Sequence, residues 1–167
     1  LDRAGDFSQS AILEVGPGDG FLLAELVKRS AEVHALDKSE EMLSTAMLNT
    51  KGIDSIKFHL GEPHTLESQR SRFAAAVVNM VLHHAPDPAG LIRDTAQLLK
   101  PQGDLIISDL CPHDQAWARE HCGDLWLGFS PDEIRAWATH CGFAHCAELF
   151  FAQRNGFQIQ VQHFKRC

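Results

Sequence analysis

Short apolar runs alternate with segments whose apolar residues recur at helical spacing along most of this chain. Ala11 to Val15 is a compact apolar run between Gln9-Ser10 and a glycine cluster, the pattern of a buried parallel strand. Phe21, Leu22, Leu23, Leu26 and Val27 then recur at helical spacing up to Lys28-Arg29, cations suited to a helix C-terminus. Glu32 to Leu36 predicts a second strand. Ser39 follows as an N-cap, with Glu40 and Glu41 in the first turn of a second helix.

The alternation continues. Ser55 to Leu60 predicts a third strand and Phe73 to Met80 a fourth, and Asp87-Pro88 opens a helix that carries Leu91, Ile92, Thr95 and Leu98 to Leu99. Lys100-Pro101-Gln102-Gly103 stops it before a fifth strand, Asp104 to Ser108. Ser130-Pro131-x-Glu133 is a capping box with proline at the first helical position, and Ile134, Trp137, Ala138 and Cys141 form the buried face up to Gly142. Ala144 to Phe151 and Phe157 to Phe164 read as two strands joined at Arg154-Asn155-Gly156, a terminal hairpin. Five strands alternating with helices and closed by a hairpin predict one doubly wound α/β domain, mostly parallel with one antiparallel strand. Ligands of such sheets bind beyond the carboxyl ends of the strands, at the switch point.

Composition narrows the classes. Of 167 residues, 44% are hydrophobic and 22% charged, enough for one domain with a sizeable core. The net charge of −7, without clustered Lys and Arg, argues against nucleic-acid binding through this domain. No apolar run approaches the roughly 18 residues of a membrane span, and no signal segment opens the chain, so a cytoplasmic location is expected. The five cysteines form no CxxC pair and read as reduced thiols. Cys141 and Cys146 lie near His140 and His145, but their spacing matches no common zinc motif. No metal site is expected. The start at Leu1, with the first strand about ten residues later, reads as a fragment that lacks an N-terminal part.

Chemistry concentrates at the predicted strand ends. Glu14-Val15-Gly16-Pro17-Gly18-Asp19-Gly20 links the first strand to the first helix, and its alternating glycines let a ligand approach the main chain. A dinucleotide loop would place glycine three residues after Gly18, where this chain has Phe21, and Asp19 would repel a pyrophosphate. A nicotinamide-dependent oxidoreductase is thereby disfavoured. Asp37 ends the second strand, 19 residues beyond Gly18, where a carboxylate can accept both hydroxyls of an adenosine ribose; capping the next helix is its plainer role.

These residues resemble the first two motifs of class I S-adenosylmethionine (SAM) dependent methyltransferases. Gly61-Glu62 resembles the pair whose acid meets the adenine amino group, with Glu in place of the usual Asp. Asn79-Met80-Val81-Leu82-His83-His84 resembles the segment beneath the methionyl part of the cofactor. Leu98 to Gly103 resembles the turn before the fifth strand, with Gln102 in place of a glycine. The resemblance covers roughly Ile12 to Asp109. From His83-His84 through Asp124-Leu125-Trp126-Leu127-Gly128-Phe129 the chain is similar to methyltransferase domains fused behind ArsR-type winged-helix repressors.

The resemblance implies a seven-stranded Rossmann-like methyltransferase fold over a single domain, residues 1–167. It implies SAM as cofactor, with S-adenosylhomocysteine (SAH) as product. Contacts to it fall on Glu14, Gly16, Gly18, Gly20, Asp37, Lys38, Glu62, Pro63, Asn79 and Met80. The implied partner is a small-molecule acceptor, and a homodimer stays open because apolar surface left uncovered by a missing N-terminal helix favours self-association. A SAM- or SAH-sensing regulatory domain without turnover is the alternative.

Methyl transfer from a sulfonium needs mainly orientation and desolvation, with a base only where the acceptor loses a proton. His83 and His84 are the base candidates, against a structural role for each in packing under the ligand. Asp109 after the fifth strand, and His113 beyond it, either face the acceptor or are solvated loop residues. Trp117, Trp126 and Phe129 either wall an acceptor pocket or pack in the core.

Overall fold

The structure is a computed structural model that describes residues 6–154 and 156–167. Leu1, where a truncated start was inferred, and Asn155 of the predicted hairpin turn lie outside the described residues. The strands are β1 (Phe7–Val15), β2 (Ser30–Asp37), β3 (Ile56–Leu60), β4 (Phe73–Asn79), β5 (Leu99–Leu110), β6 (Phe143–Ala152) and β7 (Gln158–Arg166). They form one seven-stranded sheet in the order β3-β2-β1-β4-β5-β7-β6. The pairings from β3 across to β5 are parallel, and β7 runs antiparallel to both β5 and β6. The helices are α1 (Leu23–Leu26), α2 (Glu40–Asn49), α3 (Pro88–Leu98), α4 (Trp117–His121) and α5 (Pro131–His140). This is the doubly wound α/β architecture with a terminal hairpin that the sequence predicts.

Strand alternation divides the core into two layers, because successive side chains leave a strand on opposite faces. Leu13 and Val15 of β1, Ala76 and Val78 of β4, and Leu105 and Ile107 of β5 pack with Ile92 and Ala96 of α3 and with Ile134 and Ala138 of α5. Ile12, Ala75, Val77 and Ile106 take the other face, against Leu23 and Leu26 of α1 and Ala46 of α2. The central strands carry apolar residues on both sides.

Caps explain where the longer helices start. Ser39 Oγ accepts from Met42 N at α2, Asp87 Oδ1 accepts from Gly90 N at α3, and Ser130 forms the full capping box with Glu133 at α5. The first helix is shorter than its pattern. α1 has no side-chain cap, and residue Ser30, just past Lys28-Arg29, already pairs with Phe7 in the sheet. Phe21 is left exposed. The Lys100 to Gly103 segment ends α3 but joins β5, whose register shifts between the Leu99 and Asp104 pairings, with Gln102 at a left-handed φ of 61°.

Candidate functional site

The sheet order reverses between β1 and β4, and a cavity of about 410 Å³ opens there beyond the strand ends. The glycine loop forms one wall. Gly16 N donates to Leu36 O at 2.8 Å and Gly20 N to Pro17 O at 2.9 Å, folding the loop back on itself. All three glycines have positive φ, but space tells them apart. A Cβ on Gly16 would meet Val81 Cγ2 at 2.4 Å, whereas one on Gly18 would have nothing within 4 Å. Gly18 therefore faces the open cavity, which both glycines line. Gly20 does not line it. Its bare Cα seats Ala46 of α2, whose Cα lies 3.1 Å from the Cβ position, so its role is packing.

The second wall comes from the end of β2. Asp37 Oδ1 accepts from Ser39 N at 2.9 Å, which fixes the carboxylate at the cavity edge and turns the chain into α2. Lys38, Ser39 and Met42 continue this wall. Gly61 N donates to Asp37 O at 2.8 Å and so holds β3's exit beside β2, presenting Glu62 and Pro63 to the same space. From β4 come Met80 and Val81, then His84, Ala85 and Pro86, with Leu91 of α3 closing the rim. Met80 has φ of 58°, unusual for a side chain with a Cβ, and its N–H donates to Ser108 O at 2.8 Å. Asn79 stands behind the wall, where its Oδ1 accepts from Ser108 Oγ.

Glu14 is 1% exposed, with no hydrogen-bond partner for its Oε2. Burial, helped by the nearby Asp19 charge, pushes its pKa up from 4.5 to about 8. A buried carboxyl with a free oxygen beside a glycine loop is suited to a cationic ligand group.

The histidine pair splits into two environments. His83 is 4% exposed, and its Nδ1 donates to Asp109 Oδ1 at 2.8 Å. His84 lines the cavity, with its ring 4.1 Å from that of His83, centroid to centroid. Asp109 does not face the cavity or solvent. It is fully buried, and its oxygens also accept from Leu82 N and Leu110 N. It therefore orients the 3-10 turn Leu82–His84.

Asp124 opens the Asp124 to Phe129 stretch of the resemblance but was not singled out as a site residue, because it lies in an irregular segment. It is 6% exposed and comes within 4.0 Å of His83 Nε2 and 3.8 Å of His84 Nδ1. His113 packs its ring on Phe157, and its Nε2 is buried without a partner. Phe129 is core, with Trp126 tilted against it and Trp137 edge-on to it, while Trp117 is half exposed. Trp126 Nε1 donates to Ala85 O at 2.9 Å, tying the Asp124 segment to the cavity wall. Cys141 and Cys146 do not join His140 or His145 in any metal-ligand group among the described residues.

A family model described as a methyltransferase domain matches residues 1–159. The chain is 33% identical over 149 residues to a ubiquinone biosynthesis O-methyltransferase of Xanthomonas oryzae pv. oryzae, covering 79% of this chain and 62% of that protein. To the protein of the same name from Serratia proteamaculans it is 29% identical over 119 residues, covering 70% of this chain and 49% of that one. The chain thus spans about half to three fifths of the length of these relatives. Among solved structures, an S-adenosylmethionine dependent methyltransferase from Mesorhizobium loti superposes with a TM-score of 0.81 at 17% identity, covering 97% of this chain and 93% of that one.

Proposed function

The chain belongs to the family of methyltransferase domains, whose class I members take their methyl group from SAM, and from that premise we propose that it methylates a small-molecule acceptor. The observation that carries this reading is the joining of the glycine loop, Asp37 and Glu62 around one cavity, with the Glu14 carboxyl, its Oε2 without a partner, buried beside the loop. Its volume of about 410 Å³ falls in the range of small-ligand sites.

The residues fit the cofactor. Asp37, with Oδ1 held by Ser39 N, would offer its second oxygen to ribose hydroxyls, and Lys38, Glu62 and Pro63 would border the adenine. Gly16, Gly18 and Met80 would border the methionyl part, and the buried Glu14 carboxyl beside the loop would favour its ammonium. Asn79 supports Met80 from behind, and Gly20 sets the loop's packing on α2. The bound cofactor supplies an electrophilic methyl on a sulfonium that leaves as a neutral thioether. The chain's own work is orientation and exclusion of water, because the apolar walls Val81, Ala85 and Leu91 keep the reacting end dry. Without a bound ion, His84 on the cavity wall can take a proton from an acceptor hydroxyl, and Asp109, bonded to His83 and to Leu82 N, holds the turn that carries it. The relatives' names favour an oxygen acceptor.

We extend the proposal to the whole chain, residues 1–167, as a single methyltransferase domain. Kinship with ArsR-fused methyltransferases rests on the His83 to Phe129 segment, and a cytoplasmic site of action accords with the absence of any described helix long and apolar enough to cross a membrane. The sensing alternative gains no feature of its own from the cavity. Calorimetric titration with SAM, SAH and NADH tests the cofactor. Binding of SAM and SAH that Asp37→Ala abolishes supports the reading; binding of NADH alone overturns it.

A further inference from the structure

Asp124 is a carboxylate with only 4% of its side chain exposed, and the described residues bring no hydrogen-bond donor to it at normal length. Its nearest charged or ring partners are His83 Nε2 at 4.0 Å and His84 Nδ1 at 3.8 Å. A largely buried carboxylate with two imidazoles at this range and no closer donor marks a place for a cation. The two imidazoles are aimed at the same place. One ligand atom from each of the three residues lies within 4.8 Å of the others.

The tautomer of His83 is set from the other side. Asp109 Oδ1 accepts from Nδ1 at 2.8 Å, so the proton sits on Nδ1 and the lone pair of Nε2 points toward Asp124. A carboxylate that orients a histidine in this way is the usual support of a metal-ligating imidazole. His84 Nδ1 makes only a long 3.3 Å contact with Gly123 O, which it can exchange for an ion. Bonds of about 2.0–2.1 Å to a four-coordinate ion separate ligand atoms by roughly 3.4 Å. The three side chains therefore need to close by no more than about an ångström and a half.

We propose that His83, His84 and Asp124 form a binding site for one divalent transition-metal ion of the zinc class, with Asp109 as its positioning residue and water in the fourth place. Two imidazoles and one carboxylate favour such an ion over magnesium or calcium, which prefer all-oxygen shells. No metal was expected from the sequence, because the third ligand lies about forty residues from the pair, outside any regular motif. His84 also lines the cofactor cavity, so the ion stands at its wall.

Metal binding does not depend on the methyltransferase reading, and its test uses no cofactor. The chain, freed of metal by chelation, is titrated with Zn²⁺ by calorimetry and with Co²⁺ by visible absorption, with Mg²⁺ in parallel. The expected result is one Zn²⁺ per chain and a Co²⁺ spectrum of nitrogen and oxygen ligands. Asp124→Asn, His84→Ala and Asp109→Asn each weaken binding by about tenfold or more, while His140→Ala, on an exposed residue at the end of α5, leaves it unchanged. Absence of Zn²⁺ binding, equal binding by the Asp124→Asn chain, or a thiolate band that Cys122→Ser removes would overturn the site. Should the variants fail to fold, proton NMR of the wild-type chain decides: Co²⁺ displaces the ring signals of two histidines if the site exists and none if it does not.

Discussion

Asp109 and His83 are joined by a 2.8 Å hydrogen bond in which neither residue is open to solvent, one from the end of β5 and the other from the turn after β4. The same carboxylate accepts from Leu82 N and Leu110 N, so it ties two neighbouring strand ends into one unit under the cavity. Replacing it by asparagine exchanges one acceptor oxygen for a donor that faces N–H groups. Asp109→Asn is expected to cost about 1–3 kcal/mol, visible as a lower midpoint in urea denaturation. An unchanged midpoint would mean that the turn is held by packing alone.

Gly16 and Gly18 make a paired prediction. Both need a left-handed φ, which costs a residue with a Cβ roughly 1–2 kcal/mol. Gly16→Ala also drives its Cβ into Val81, so it should lower the melting temperature clearly more than Gly18→Ala. Gly18→Ala, which meets open cavity, should instead weaken SAH binding more than it weakens the fold. Equal melting temperatures for the two variants would refute the Val81 contact.

Glu14 gives the stability a slope in pH. Its pKa lies near 4.5 in the unfolded chain and about 8 in the folded one, so between those values the folded state holds a proton that the unfolded state has released. The associated stability is complete below 4.5, declines as pH rises, and is lost above about 8. Glu14→Gln removes this slope. The variant should gain on the wild type with rising pH, by an amount on the order of a few kcal/mol at the alkaline end, as thermal melts across that range would read.

A cation placed beside Glu14 lowers its pKa again. SAM or SAH binding near neutral pH should therefore release up to about one proton per chain, measured by calorimetry in buffers of different ionisation enthalpy. Glu14→Gln should bind without that release. Equal proton release by both chains would assign the proton to another group.

Much of this was legible along the chain. The alternation of apolar runs and helical periods located all seven strands: the central parallel strands because burial on both faces excludes polar residues over a run, and the terminal hairpin because a turn signal separates two strand-like runs. Proline and serine caps located α2, α3 and α5 to within a residue or two. The helix after the glycine loop was overestimated, since local apolar spacing carries no information about the pairing of Phe7 with Ser30 that ends it.

The cavity divides in the same way. Gly16, Gly18, Asp37, Lys38, Glu62, Pro63, Met80 and His84 follow strand ends, and every strand end of a parallel sheet opens on the same side, so their sharing of one space was readable from spacing. Tertiary structure alone decided that Gly20 serves Ala46 and that Asp109 is sealed beneath His83. It alone brought Asp124 to the histidine pair. These outcomes depend on contacts between residues distant in sequence, which periodicity, capping and loop motifs do not encode, because each of those signals reports only the chain's own neighbourhood.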